Sequence, residues 1–186
     1  MARSHARIKT AIWSDPQFLA LSSGAQRLYH LLLEQPTMTM CGVLALTVGR
    51  WASMAPDTTP KVIRNQLVEL AGEKHGRFVI VDEATEEVSA RTFAKHDINW
   101  RVPNTVVAVS KDFCAIRSEP IRHGFVQQLP DEFVERYVEG LPDGLAERLA
   151  KPFRLAMEEG FLTRVHAGVP PPATTAFVST TTSTPK

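Results

Sequence analysis

Leu28, Leu31 and Leu32, with Tyr29 beside them, recur at helical spacing behind Ser22-Ser23-Gly24-Ala25. That pattern predicts a capped helix running from Gln26 to about Gln35 and ending before Pro36. Gly42-Val43-Leu44-Ala45-Leu46 is an apolar run too short for a helix and reads as a brief buried strand. Thr47 then caps a second helix, Val48 to about Ala55, in which Val48, Trp51, Ala52 and Ala55 share a face before Pro56-Asp57 breaks it. Upstream, Ser14-Asp15-Pro16 opens a helix or turn, and Phe18, Leu19 and Leu21 are expected to dock on the core.

Asp57-Thr58-Thr59-Pro60 restarts the chain. A threonine cap with proline at the first helical position predicts a helix over 60–71, stopped at Ala71-Gly72. Ile63, Leu67 and Leu70, with Val62 beside them, form its buried stripe. Lys61, Arg64, Asn65 and Val68 fall on another face at i, i+3, i+4 and i+7. After a loop at 72–76, Arg77–Val81 and Val88–Phe93 read as strands around Asp82-Glu83-Ala84-Thr85-Glu86-Glu87, a hairpin by spacing and β-branched content. Helix, strand, helix, helix, hairpin is the order of a winged helix.

The segment from Ala94 to Asn104 is the least periodic part of the interior. Lys95, His96, Asn99, Trp100, Arg101 and Asn104 combine cations, amides and an aromatic in an expected loop, where binding residues often sit. It reads as a phosphate-contacting or base-stacking surface, or else Trp100 is a core plug and the polar groups are hydrated. Pro103-Asn104 opens a helix to about Ile116, Ser118-Glu119-Pro120 a second to Leu129, and Pro130-Asp131-Glu132 a third carrying Phe133, Val134, Tyr137 and Val138. A last helix is expected from Leu145 to Glu159, with Leu149, Phe153 and Met157 on one face and Gly160 as its stop. Phe161–Val165 then forms a closing strand or a docked extension.

The expected class is mainly α with a small β hairpin (α+β), a winged helix-turn-helix followed by a C-terminal helical extension. Its divisions are a basic N-terminal arm at 1–10, a winged-helix domain at 11–103, the helical extension at 104–167 and a disordered Pro/Thr-rich tail at 168–186.

Composition narrows the function less than the pattern does. A chain of 186 residues, 44% hydrophobic, can bury a real core. Its 21 Lys and Arg against 20 Asp and Glu leave a formal +1, which neither announces nor forbids nucleic acid. Cys41 and Cys114 stand far apart, against both a disulfide framework and a zinc knuckle, and the expected compartment is the reducing cytoplasm. No apolar run approaches a membrane span, so no membrane partner is expected. Phosphate-binding glycine loops are absent, and His5, His30, His75, His96, His123 and His166 are scattered without metal spacing. Neither an enzyme, a cofactor nor a metal is therefore expected.

The chemistry that remains is cationic and amide. Arginine and asparagine on an exposed helix can pair with guanine and adenine edges in a major groove, while an ordinary solvated face is the plain alternative. The expected DNA-contacting set is Arg3, Arg7 and Lys9 in the arm, Thr58, Thr59, Lys61, Arg64 and Asn65 at and after the helix opening, and Lys95 and Arg101 in the later loop. The hairpin tip works against a phosphate contact, because its four carboxylates face no cation in the sequence.

Ile12-Trp13-Ser14-Asp15 followed by Phe18, then Leu21-Ser22, Arg27-Leu28-Tyr29 and Gly42-Val43-Leu44 belong to a wider pattern. It continues through Arg91-Thr92-Phe93, Lys95-His96-Asp97, Pro103-Asn104 and Ile116-Arg117-Ser118-Glu119-Pro120-Ile121-Arg122. Over about residues 7 to 125 the chain resembles the N-terminal domain of phage replisome organisers and helix-turn-helix proteins encoded by actinobacterial phages and prophages. The resemblance implies a winged helix that binds double-stranded DNA, often at a replication origin, with the helix at 60–71 as reader and self-association common. The chain departs from that pattern in showing no evident helicase-loader or ATPase module.

Two functions compete on these grounds. One is a DNA-binding protein of phage or prophage origin in replication initiation or transcription control, with a homodimer formed through the C-terminal helices. The other is a protein-interaction module that binds a replication or transcription protein through the acidic wing and the C-terminal helices.

Overall fold

Short polar side chains and prolines set where the helices begin. Asp15 accepts from the Gln17 N–H at 2.9 Å and Pro16 opens α1 (Pro16–Leu19), after a single 3-10 turn at Thr10–Ser14. Ser22 Oγ accepts from the Ala25 N–H at 3.2 Å and starts α2 (Ser23–Leu33). The chain continues through β1 (Val43–Ala45) and α3 (Val48–Ala52) to α4 (Pro60–Ala71), whose cap is Thr59 Oγ1 accepting from the Val62 N–H at 3.3 Å. Then come β2 (Val79–Asp82), β3 (Glu87–Ala90), α5 (Phe93–Asp97), α6 (Pro103–Ala115), α7 (Glu119–Gln127), α8 (Leu145–Arg148) and α9 (Lys151–His166).

This computed structural model describes residues 6, 8–73, 77–131, 133–134 and 144–166, with 159–166 described by backbone alone. Arg3, Arg7, most of the helix expected after Pro130 and the 168–186 tail lie outside those residues. Among the described residues, no helix is long and apolar enough to cross a membrane.

The architecture is mainly helical with a small three-stranded antiparallel sheet, an α+β arrangement. The strand order is β1-β3-β2: Val43 sits opposite Ser89 and Val79 opposite Ala90. The hairpin turn is made locally, by Asp82 Oδ1 accepting from the Ala84 and Thr85 N–H groups and by Glu86 at φ 55°. Helix α4 packs on β2 and against α2 and α3, and Leu28, Leu32, Trp51, Ile63, Leu67 and Leu70 are all buried. Glu69 of α4 ties α2 down by accepting from both the Ser22 N–H (2.6 Å) and the Ser22 hydroxyl (2.7 Å).

Helices α6 and α7 do not trail away from this unit. One apolar cluster runs from Phe18 to Met157, with Phe18, Tyr29 and Phe78 at one side and Trp100, Phe113, Phe125, Phe133 and Phe153 at the other. Polar contacts join the halves, because Cys41 Sγ donates to the Val109 carbonyl (3.5 Å) and the Met40 N–H donates to Asp112 Oδ2 (2.7 Å).

Several expectations are corrected. Leu19 is 52% exposed and does not dock, because α1 is one turn long and turns only Phe18 inward. The strand expected through Phe93 ends at Ala90, and the following residues form α5, so Lys95 and His96 lie on a short helix and not in a loop. Of the two readings of Trp100, the core plug is the one observed: its Nε1–H donates to the Ala94 carbonyl at 3.0 Å and its ring centroid lies 4.5 Å from that of Phe133. The last helix is not continuous from Leu145. It breaks at Leu149-Ala150, because Pro152 has no N–H for the Arg148 carbonyl and its ring would clash there. Gly160 does not stop it either, so 161–165 is helix and not strand; an interior glycine costs only about 1 kcal/mol.

Candidate nucleic-acid interface

Helix α4 sorts its side chains cleanly. Ile63, Leu67 and Leu70 are buried, while Lys61, Arg64, Asn65 and Val68 face solvent. Val68 is 73% exposed, an apolar group on an otherwise polar face that could pack on a thymine methyl. The turn that aims this face is closed by Thr58, whose hydroxyl donates toward the Ala52 (2.7 Å) and Ala55 (2.9 Å) carbonyls at the end of α3. Thr58 and Thr59 therefore have their hydroxyls committed to building the α3–α4 junction.

Arg64 is not alone on the surface. Its Nη1 donates to Glu83 Oε1 at 2.7 Å, joining the second turn of α4 to the hairpin tip. The other tip carboxylates turn elsewhere. Asp82 lies below the usual carboxylate range, held there first by the hydrogen bond with the Ser118 side chain and then by the Thr85 and Ala84 N–H groups. Glu87, expected at an exposed tip, is only 8% exposed and accepts from the Ser118 N–H (2.8 Å) and the Arg117 N–H (3.1 Å). Ser118 in turn caps α7, its Oγ accepting from the Ile121 N–H at 3.3 Å. The Arg117 guanidinium reaches the Thr85 carbonyl, so the hairpin is clamped between α4 and the α6–α7 turn.

A second set of cations lies at the opposite end of the hairpin, beyond about 10 Å of strand. Lys9 Nζ donates to His96 Nδ1 at 3.1 Å, which requires that ring nitrogen to be unprotonated. Burial, and then the charges of Lys9 and Lys95, lower the pKa of His96 below the ordinary histidine value. Lys95, Asn99 and Arg101 border a cleft of about 190 Å³ backed by Ile98, Trp100, Pro130 and Phe133.

The expected contact set thus separates. Lys61, Arg64 and Asn65 share the α4 face, while Lys9, Lys95 and Arg101 belong to the α5 end. Arg3 and Arg7 lie outside the described residues. Two groups escaped the sequence reading. Arg27 Nη2 donates to the Met54 carbonyl at 3.4 Å, setting another cation at the α3–α4 turn, and only its i+3 phase from Gly24 on α2 hinted at a surface position. Glu83 is the other, and its signal was present: an acidic turn following a helix with an exposed arginine.

Among the described residues no group of three or more His, Cys, Asp or Glu is placed to hold a metal ion. In comparisons with known proteins, no family, no curated protein and no solved structure matches the chain.

Proposed function

We propose that the chain is a winged-helix protein that binds double-stranded DNA, with α4 entering the major groove and the β2–β3 hairpin as its wing. The observation that carries this reading is the outward face of α4, where Lys61, Arg64, Asn65 and Val68 stand clear of the core on a helix fixed at both ends. Its start is set by the Thr58 and Thr59 hydroxyls and its body by Glu69 on Ser22. Such a rigid element can offer arginine to guanine and asparagine to adenine. The helix order and the β1-β3-β2 sheet support the winged-helix description. A setting in phage replication initiation or transcription control rests on the sequence resemblance.

Docking of a partner protein on the acidic wing has less support, since Asp82 and Glu87 turn toward the α6–α7 turn and Glu83 holds Arg64. The test is a gel-shift titration on duplexes selected from a random pool at near-physiological salt. Arg64→Ala is expected to weaken binding by about 1–3 kcal/mol on a selected site. Lys61→Ala is expected to weaken it on all sequences and to reduce the salt slope by about one. If neither variant changes affinity or salt dependence, α4 is not the reader.

A further inference from the structure

We infer that Glu83 is a specificity-determining residue of this interface, an intramolecular competitor that occupies Arg64 until a better acceptor arrives; this rests on α4 being the DNA reader. The Arg64 and Glu83 side chains meet at 2.7 Å, yet they are 54% and 62% exposed. An ion pair in that position is weak, short-ranged and screened by salt, so incoming groups can replace it.

What replaces it is set by the surrounding chemistry. A single phosphate oxygen offers Arg64 little more than the carboxylate does, and it must approach a tip that also carries Glu86, exposed on the same turn. A guanine edge offers two acceptors, O6 and N7, in the planar fork geometry that arginine matches. That bidentate contact exceeds an exposed ion pair by roughly ten-fold in binding constant. Glu83 therefore suppresses non-specific attachment more than it suppresses binding at a site that presents guanine to Arg64.

The neighbours of Glu83 make it the member of the tip able to act this way. Asp82 and Glu87 are held by backbone N–H groups and Ser118, and the hairpin itself is clamped by Arg117 at the Thr85 carbonyl. A fixed wing holds the Glu83 carboxylate at a constant distance from α4. The Arg64–Glu83 contact is consequently a built feature of the hairpin's position.

The experiment measures the full-length chain on a random-sequence duplex across a series of salt concentrations, with Glu83→Gln, Glu86→Gln, Arg64→Ala and Arg64→Ala/Glu83→Gln. Glu83→Gln is expected to tighten non-specific binding roughly two- to five-fold and to steepen the salt slope by about one, as Arg64 becomes available to phosphate. The double variant is expected to bind no tighter than Arg64→Ala, and Glu86→Gln, which removes a tip charge that is not paired with Arg64, to give a smaller gain. Thermal unfolding of each variant checks that the fold is kept.

A gain of equal size in the Arg64→Ala background, or with Glu86→Gln, overturns the inference in favour of simple charge repulsion. A loss of affinity in Glu83→Gln overturns it in favour of Glu83 positioning Arg64. Either result leaves α4 as reader intact if Arg64→Ala alone weakens binding. Absence of duplex binding by every chain, Glu83→Gln included, removes both.

Discussion

Gly42 is the residue at which the backbone permits least. Its φ is 73°, a left-handed conformation, and a Cβ added there would stand 2.6 Å from the Cβ of Phe93. Its carbonyl also accepts from the Ala90 N–H at 2.9 Å, so the strand entry cannot swing aside without losing a sheet bond. The left-handed backbone costs an alanine about 1–2 kcal/mol, and forcing a methyl into packed space costs about 1–3 kcal/mol more. Gly42→Ala is expected to lower stability by the sum of these in urea denaturation, and a loss under about 0.5 kcal/mol, the scale of a neutral surface change, would mean that the β1 entry relaxes freely. At this scale the sequence was partly readable. Trp100 stands out among polar groups, whereas nothing in the run Gly42–Leu46 marks the left-handed backbone at Gly42. What periodicity could not reveal was which face a one-turn helix exposes, as at Leu19, or that a carboxylate at a turn would be turned inward, as at Glu87, because both depend on partners far away in the chain.

At the scale of elements, the hairpin shows how a turn's chemistry can be local while its role is not. Asp82 and Glu86 form the turn from within. Glu87 then accepts from the Arg117 and Ser118 N–H groups just before α7, of which the Ser118 N–H is buried and would otherwise lack a partner. Hydrogen bonds to a charged acceptor contribute about 1.5–3 kcal/mol each, so Glu87→Ala is expected to cost about 3 kcal/mol or more in denaturant unfolding. Arg117→Ala keeps the backbone N–H groups and removes a mostly exposed guanidinium, with its hydrogen bond to the Thr85 carbonyl and its 3.8 Å approach to Glu87, so its expected cost is smaller, about 1–2 kcal/mol. Equal losses in the two variants would show that the Arg117 guanidinium, and not the backbone N–H groups held by Glu87, joins hairpin to helix. The helices were legible because their caps and prolines are local signals: Ser22, Thr59-Pro60 and Ser118 start them as expected. The break before α9 is a backbone effect of Pro152 that the apolar stripe of Leu149, Phe153 and Met157 masks in the sequence. On α4 the exposed face of Lys61, Arg64, Asn65 and Val68 was legible from the 3.6-residue period alone, but the Arg64–Glu83 contact was not, since it requires the hairpin to fold back over the helix.

The whole molecule is organised by a core that ignores the 103/104 division of its elements. Ile80 of the hairpin packs so closely on α7 that a Cβ at Gly124 would come 2.3 Å from the Ile80 Cδ1. Before β1, the opposite edge strand from β2, Met40 and Cys41 bond to Asp112 and to the Val109 carbonyl of α6. Apolar side chains from both segments, among them Val43, Val88, Val109, Phe113 and Ile121, belong to one buried cluster. Cutting the chain after residue 103 would leave the outer face of the hairpin and the Met40–Cys41 loop without cover, and would expose a contiguous apolar surface of the kind that soluble monomers avoid. The full chain is accordingly expected to unfold in one cooperative transition. The 1–103 fragment is expected to show a broadened, non-cooperative transition with binding of a hydrophobic dye. Coincident urea curves followed by far-ultraviolet circular dichroism and tryptophan fluorescence check the first expectation, since Trp51 reports from the core of α2–α4 and Trp100 from its packing on Phe125 and Phe133 beyond the division. A 1–103 fragment that unfolds sharply near the full chain's midpoint would show that α6 and α7 are an addition to a self-sufficient unit.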